Sequence, residues 1–225
     1  MKTAAVLREP LALPRKASRE QRRQQMIEAT IECLAARGYA QTTMTDVAAA
    51  SGVSHGLVNF HFETKEKLLT ETLLYLADEY RENWKRALEE VPPSPAAQLN
   101  ALLLADFNEV ICTQSKLRAW CAFWGEAQSR PIYQEKCAAN DQACNAELEE
   151  VCARLISEGG YALNPARVAR VLRVTIEGLW LDILSMTTPY SRDEAIRTVY
   201  VCAAALFPRH FGEMGLIQSL LHGRA

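Results

Sequence analysis

Apolar residues recur along most of this chain at intervals of three and four positions, the spacing of one face of an α-helix. The first such segment begins after Ser18, a residue type that caps helix N-termini, and ends at Gly38. A longer segment begins after Thr64 and runs to about residue 90. Three prolines between positions 92 and 95 then interrupt the pattern, so a structural unit is predicted to end there.

The chain beyond this break is also helical by pattern. Pro131 and Pro165 stand where helices can begin, because proline is accepted in the first turn, and Ser191 is suited to cap the last long helix. The helices predicted in this part span 96–112, 115–127, 131–158, 165–184 and 192–207. No segment shows the two-residue alternation of a half-buried strand. The fold is therefore predicted to be all-α, with about nine helices.

Two very short helices, over about 46–50 and 54–60, are predicted on either side of a tight turn at 51–53. Thr43 is expected to cap the first of them, with Asp46 three residues on in a variant of the capping box. Helices of one or two turns are unstable alone, because nucleation costs more than so few hydrogen bonds return. Such a pair persists only when it packs on a larger structure, and the arrangement is typical of a helix-turn-helix.

The second helix of a helix-turn-helix enters the major groove of DNA. Here that helix carries short polar side chains: Asn59 can pair with adenine, and His55 can donate to a base edge or a phosphate. Gly56 leaves room for the backbone to approach DNA. Each residue alone also has an ordinary interpretation as a cap, a solvated lysine or a packing histidine, and it is their combined spacing that favours DNA binding. The predicted DNA contacts are Thr43, Ser54, His55, Gly56, Asn59, His61 and Lys65.

Charge and cysteine content narrow the possibilities. The formal net charge of the chain is −2, but positive charge is concentrated near its start. The first 23 positions contain seven lysines and arginines and only two glutamates. Residues 1–17 are predicted to form a flexible basic arm.

No apolar run suits a membrane span or a signal peptide, so a cytoplasmic protein is predicted. The seven cysteines lack metal-site spacing, so they are interpreted as small buried apolar side chains, and no cofactor is expected. The alternative is a thiol or metal sensor built from Cys137, Cys144 and Cys152.

The segment from Gly38 to Leu69 resembles the DNA-binding domain of the TetR family of bacterial repressors. The resemblance is carried by Gly38–Tyr39, Thr43, Val47–Ala48, Gly52–Val53–Ser54, His61–Phe62, Lys65 and Leu68. It implies a homodimer that binds a palindromic double-stranded DNA operator and releases it when a small molecule enters the C-terminal domain. Many members carry a pair of tyrosines where this chain has Asn59 and Phe60, so a tyrosine contact to phosphate is not carried over.

The predicted domain organisation follows from these elements. A three-helix DNA-binding domain spans 18–63, and a helical domain for ligand binding and dimerisation spans 64–225. The helix over 64–90 is expected to link the two, because it is continuous with both. Helices 165–187 and 191–207 are apolar over more than one stripe, which favours a four-helix interface between two copies. The alternative is that they form a fully buried hairpin of the core.

Aromatic residues are concentrated in the predicted C-terminal domain. Aromatic faces attract cations, and quaternary ammonium ions suit them because they cannot form hydrogen bonds. Trp120 and Trp124 are four residues apart and so share a helix face. A counter-charge could come from Asp106, Glu109 or Asp182. The alternative is that these rings form an ordinary core.

Three segments, 106–110, 118–124 and 177–181, resemble the C-terminal domain of BetI-type repressors, which control the conversion of choline to glycine betaine. The resemblance implies choline or a related trimethylammonium compound as the inducer. The predicted ligand contacts are Phe107, Glu109, Trp120, Phe123, Trp124 and Trp180.

Together these observations predict a ligand-gated DNA-binding repressor of choline and glycine betaine metabolism, with no enzymatic activity. The ligand would favour a conformation whose two reading helices are wrongly spaced for successive major grooves. One alternative is a repressor of a multidrug efflux pump that senses lipophilic cations. Others are a helical protein that does not bind DNA and an enzyme, although the four histidines show no nucleophile–base or metal spacing.

Overall fold

The computed structural model describes residues 18–126, 131–186 and 190–217, and within 131–141 only the side chain of Glu135. The predicted arm, residues 1–17, lies outside this part of the chain. The described residues form nine α-helices, which confirms the predicted all-α architecture. The helices are α1 (Arg19–Gln41), α2 (Met44–Ser51), α3 (His55–Phe62), α4 (Lys65–Glu89), α5 (Pro95–Ala105), α6 (Gln114–Glu126), α7 (Pro131–Gly159), α8 (Pro165–Ser185) and α9 (Arg192–Leu206).

The expectation that the chain contains no strand was wrong at its C-terminal end. There β1 (Phe211–Gly212) pairs antiparallel with β2 (Gly215–Leu216). Strands of two residues are too short to show an alternating pattern. Gly215 has a φ of 108°, and a Cβ at this position would lie 3.0 Å from the ring of Tyr200. Both the backbone angle and the close approach of the ring therefore require glycine.

Helix α5 is shorter than predicted, because it ends at Ala105 and residues 106–112 form turns. The side chain of Asn108 accepts a hydrogen bond from the backbone N–H of Val110 at 2.9 Å. Such local bonds of asparagine compete with the helical pattern. As a result Asp106 stands at the C-terminal end of α5 and not in the middle of a longer helix.

The chain divides into two compact units. Of the described residues, those up to Asp78 and those in 113–138 form unit 1, whereas 79–112 and the residues from 139 onward form unit 2. Helix α4 contributes residues to both units. Helix α6 belongs to unit 1, although the predicted domain boundaries assign its residues to the C-terminal domain.

Unit 1 is organised around α1, which packs against α2 and α6. Ser18 begins α1 with a capping box to Gln21. Gly38 has a φ of 75°, which kinks the helix near the predicted end. The core of the unit includes Met26, Leu34, Val47, Val58, Phe62, Leu69 and Phe123. Burial of side chains from α2 and α3 in this core is what stabilises two helices of only eight residues each.

Unit 2 is built from the second half of α4, the helix α5, most of α7, the helices α8 and α9, and the β-hairpin. Helix α9 packs against α8 and β1. The fully buried side chains of this unit include Leu99, Leu103, Val151, Leu155, Leu172, Val199 and Phe207. No helix among the described residues combines the length and apolar character needed to cross a membrane.

Candidate DNA-binding surface and ligand-binding residues

The start of α2 is fixed by reciprocal hydrogen bonds between Thr43 and Asp46. The Asp46 N–H donates to the Thr43 hydroxyl at 3.1 Å, and the Thr43 N–H donates to the Asp46 carboxylate at 3.0 Å. The Thr43 hydroxyl also donates to that carboxylate and so lowers the pKa of Asp46. The predicted cap is confirmed. Thr43 remains exposed at a helix N-terminus, where backbone N–H groups and the helix dipole favour an anion such as phosphate.

The turn between α2 and α3 is held in two ways. Gly52 ends α2 in the left-handed region, with a φ of 67°, and its N–H bonds back to the last carbonyls of the helix. The amide of Gln25 on α1 donates to the carbonyl of Ser51 at 2.8 Å in a buried position. The turn is therefore fastened to the core of unit 1, and the angle between the two short helices is set by that core.

Helix α3 exposes most of the residues predicted to read DNA. Ser54 caps it by accepting from the N–H of Leu57 at 3.2 Å. His55 and Asn59 lie one turn apart, and the Asn59 amide and the His55 Nδ1 are 3.2 Å apart. Gly56 is also exposed, and a Cβ there would lie 4.0 Å from the Ser54 hydroxyl oxygen, an ordinary contact distance. The opposite face of α3 is buried in the core, so the exposed face is presented by a rigid support.

An exposed aromatic ring beside these residues was not among the predicted contacts. Phe60 is 67% exposed, and the guanidinium of Arg19 lies 5.7 Å from its ring centroid. The ring of His61 meets Phe60 edge-on at 5.6 Å. Burial, with the charges of Arg19 and Arg23, lowers the pKa of His61, so this histidine favours its neutral form. The sequence signal for this cluster was the departure from the tyrosine pair at positions 59 and 60.

Lys65 holds the end of α1. Its ammonium group donates to the carbonyls of Tyr39 and Ala40 at 3.0 and 2.9 Å, and it lies 5.5 Å from the Tyr39 ring centroid. Cations at a helix C-terminus satisfy carbonyls that have no helical partner. Lys65 is therefore tied to α1, and a phosphate contact from the same side chain stays a prediction.

The six predicted ligand contacts lie in both units. In unit 1, Phe123 is buried in the core and its ring meets Tyr39 edge-on at 6.2 Å. Trp120 packs against the same core, and its ring lies 6.3 Å from that of Trp124, which is 41% exposed. The shared face predicted for the two tryptophans is confirmed by this contact. Phe123 takes a packing role in the described structure.

In unit 2, Phe107 is buried whereas Glu109 is exposed. Glu109 accepts from Arg192 of α9 at 2.7 Å, and this hydrogen bond lowers the pKa of the Glu109 carboxyl. Trp180 is buried and its indole N–H donates to the backbone carbonyl of Asp106 at 3.1 Å. Among these residues Trp180 combines burial with a specific polar contact.

Asp106 is the buried carboxyl group of this region. It is 9% exposed, and its Oδ1 accepts from the Tyr80 hydroxyl at 2.7 Å. Burial raises the pKa of Asp106 to about 7; the Tyr80 hydrogen bond opposes this shift and the Glu177 charge adds to it. The Tyr80 ring also meets Trp180 edge-on at 6.2 Å. Apolar periodicity does not predict this role of Tyr80, because a hydrogen bond between residues distant in sequence has no signature in that pattern.

Buried thiols fit the interpretation of the cysteines as apolar side chains. Burial raises the pKa of Cys33 and Cys112 to about 11 and that of Cys152 to about 12, which disfavours the metal-binding thiolate. The side chain of Cys137 lies outside the described residues. Within the part of the chain that the structure describes, no group of three histidine, cysteine, aspartate or glutamate side chains could hold a metal ion.

Comparison with protein families gives two matches. A model of the C-terminal domain of BetI-type transcriptional repressors matches residues 95–208. A model of bacterial regulatory proteins of the tetR family matches residues 26–72, which include α2, α3 and the turn between them.

Curated relatives include the HTH-type transcriptional regulator BetI of Burkholderia thailandensis, 27% identical over 188 residues that cover 82% of this chain and 93% of that protein. The BetI regulator of Serratia proteamaculans is 27% identical over 176 residues, covering 78% and 87%.

Similar solved structures include one described as a transcriptional regulator from Pseudomonas aeruginosa PAO1. It has a TM-score of 0.74 and 26% identity, and the match covers 86% of this chain and 94% of that one. A regulator from Saccharomonospora viridis, solved in complex with choline, has a TM-score of 0.71 and covers 80% and 94%. Its 17% identity shows a shared fold.

Proposed function

Because the chain belongs to the TetR family of DNA-binding transcriptional repressors and has a C-terminal domain of the BetI type, we propose that it represses genes of choline and glycine betaine metabolism. It would leave its operator on binding choline or a related quaternary ammonium ion. Its work on chromosomal DNA would place it in the cytoplasm.

The observation that carries the DNA-binding part is the exposed polar face of α3. His55, Gly56 and Asn59 occupy this face, while Val58 and Phe62 anchor the opposite face. A recognition helix needs this combination, because base contacts form only when a rigid support sets the position of the helix in the groove. Thr43 at the start of α2 supports a phosphate contact that would fix the register.

A palindromic operator requires two reading helices, so we propose a homodimer through α8 and α9. Helix α8 buries one face in unit 2 but exposes a second apolar stripe. Val171, Val174 and Leu181 lie on that stripe and are 46–52% exposed, and Val201 of the neighbouring α9 is 51% exposed. A two-fold contact between such faces would bury them in a four-helix arrangement.

The proposal of a quaternary ammonium inducer is supported by similar proteins and by the side chains of unit 2. The relatives from Burkholderia thailandensis and Serratia proteamaculans carry the BetI name, and the similar structure from Saccharomonospora viridis binds choline. In this chain buried aromatic rings and a buried carboxyl group occur together in unit 2, and a quaternary ammonium ion is attracted by both. Of the predicted ligand contacts, Trp180 and Phe107 are the residues that we place in the site.

Coupling between ligand and DNA would run through α4, because this helix is continuous and contributes residues to both units. Choline would bind more tightly to a conformation in which the two reading helices do not match successive major grooves. The shift in operator affinity can then be no larger than the difference in choline affinity between the two conformations.

The test is a titration of labelled DNA from upstream of the protein's own gene, at several salt concentrations, with and without millimolar choline. We expect salt-dependent binding that choline weakens. The competing assignment, a repressor of a multidrug efflux pump, is distinguished by a large aromatic cation such as rhodamine 6G. If that cation releases the DNA and choline does not, the choline assignment is wrong, and absence of any salt-dependent binding would contradict the DNA-binding proposal itself.

A further inference from the structure

The carboxyl group of Asp106 is buried, and among the described residues no positive charge acts on it. Its Oδ1 accepts from the Tyr80 hydroxyl at 2.7 Å. Three influences act on its protonation, namely burial, this hydrogen bond and the negative charge of Glu177. None of them is cationic. A buried carboxylate in such surroundings is costly, and it is stabilised when a cation is bound beside it.

Two aromatic residues form hydrogen bonds with Asp106. Tyr80 donates to its side chain, and the indole N–H of Trp180 donates to its backbone carbonyl at 3.1 Å. The two rings meet at 86° with their centroids 6.2 Å apart. A carboxylate with aromatic rings fixed around it is the chemistry that attracts an alkylammonium ion, which the carboxylate binds by charge and the rings bind by their faces.

The other titratable groups that the structure describes around Asp106 do not supply a neutralising partner. From α7, the Cys144 sulfur lies 3.7 Å from the Tyr80 hydroxyl. In the turn after α5, burial raises the pKa of the Cys112 thiol, so this thiol is neutral, and the Asp106 charge adds to that shift. From α8, Glu177 adds negative charge and is itself paired with Arg173. The described groups around the carboxyl are thus neutral or negative, apart from two arginines that are each engaged by a glutamate. Arg173 is paired with Glu177, and Arg192, whose charge lowers the pKa of Cys112, is paired with Glu109.

We propose that Asp106 recognises the positive charge of the inducer and releases its proton to solvent when the cation binds, so that induction is coupled to pH. This inference rests on the proposed quaternary ammonium inducer. Because the pKa of Asp106 is about 7, roughly half of the free protein carries the proton near neutral pH. A bound cation stabilises the carboxylate, and the O–H bond of the carboxyl group breaks without any redox change.

The expected signature is a proton released on binding. Choline should bind about tenfold more tightly at pH 8 than at pH 6, because the carboxylate fraction of the free protein rises by about that factor across a pKa of about 7. The uncharged isostere 3,3-dimethylbutan-1-ol, in which carbon replaces the nitrogen, should show no such increase. Choline should therefore be preferred over the isostere at pH 8 and much less so at pH 6.

The experiment is calorimetric titration of the full-length protein with choline between pH 6 and pH 8.5, in buffers of different ionisation enthalpy that report the number of protons released. Asp106→Asn keeps the shape and an acceptor for Tyr80 but cannot ionise. Its affinity for choline should fall about tenfold or more at pH 8 and lose its pH dependence. Asp193→Asn, at an exposed position in the first turn of α9, is the matched control and should behave as the wild type.

Tyr80→Phe provides an independent readout. The Tyr80 hydroxyl lowers the pKa of Asp106, so its removal should move the midpoint of the pH dependence to higher pH. If the wild type binds choline without releasing a proton, or Asp106→Asn keeps the wild-type affinity at pH 8, this inference is wrong while the choline assignment stands. If choline does not bind the wild type at any pH tested, both are wrong.

Discussion

The two phenylalanines of α3, Phe60 and Phe62, are expected to affect different properties, operator affinity and stability respectively. Phe62 is fully buried, so Phe62→Ala should cost about 3–5 kcal/mol of unfolding free energy. Phe60 is 67% exposed beneath Arg19, so Phe60→Ala should change stability by no more than about 0.5 kcal/mol. We expect Phe60→Ala to weaken operator binding, because the ring holds the guanidinium beside the reading face. Urea unfolding and fluorescence anisotropy measure the two effects, and an operator affinity equal to the wild type would remove Phe60 from the interface.

Asn59 and Lys65 are expected to affect DNA binding in different ways. Asn59→Ala should relax the preference at one base pair, since an amide on the exposed face of α3 can read a base edge. Lys65→Ala should weaken binding to all sequences alike and reduce the salt slope by about 1. It should also cost about 1 kcal/mol of stability, because two carbonyls of α1 lose their donor. Affinities for the operator and its single-base variants, measured over a salt series, separate these outcomes. Unchanged preference and slope in both variants would place neither side chain at the DNA.

At the residue scale the sequence predicts what is local. Ser18, Thr43 and Ser191 could be recognised as caps because the partner of each lies three residues away. The partners of Lys65 and Tyr80 are distant in sequence, and no spacing rule links them. The sequence therefore offers Asp106 only as one of three candidate counter-charges, and preferring it to Glu109 and Asp182 depends on contacts that the fold creates.

At the scale of elements, two glycines of the helix-turn-helix test what α2 and α3 require. Gly52 has a φ of 67°, so Gly52→Ala should cost about 1 kcal/mol or more. Gly56 lies in the first turn of α3, where a Cβ would make only an ordinary contact with the Ser54 hydroxyl at 4.0 Å. Gly56→Ala should therefore keep or raise the stability by up to about 1 kcal/mol. The added methyl group should nevertheless weaken operator binding if the backbone of α3 approaches DNA here. Thermal unfolding and DNA titration of both variants check this, and full operator affinity in Gly56→Ala would contradict the close approach.

Element starts were easier to predict than element ends. The starts of α1, α2 and α9 follow Ser or Thr caps, whose hydrogen bonds are short-range. The end of α5 was placed seven residues too late, because apolar periodicity continues through Phe107 and Val110 while Asn108 diverts the backbone. The β-hairpin was missed because its strands have two residues each and depend on contact with α9.

At the scale of the molecule, the structure groups α6 with the DNA-binding helices. Ser115 donates to Glu32 of α1 at 2.9 Å, and Phe123 packs in the same core as Phe62. Apolar periodicity predicted α6 as a helix with one buried face. It does not predict which other helices pack against that face. Residues on α6 can therefore affect operator binding through the support of the reading helix as well as through a ligand.

Dimerisation is the property of the whole molecule that the exposed stripe of α8 makes testable. Val174→Glu places a charge in the middle of this stripe, whereas Ala166→Glu adds the same charge at an exposed position of α8 away from it. We expect Val174→Glu to shift the protein to a monomer in sedimentation and Ala166→Glu to leave the dimer intact, because a buried charge without a partner strongly destabilises an interface. The monomer should bind a full operator at least tenfold more weakly, since the second reading helix no longer benefits from the high effective concentration that the first one provides. A Val174→Glu protein that remains a dimer with wild-type operator affinity would place the contact between the two copies on another surface.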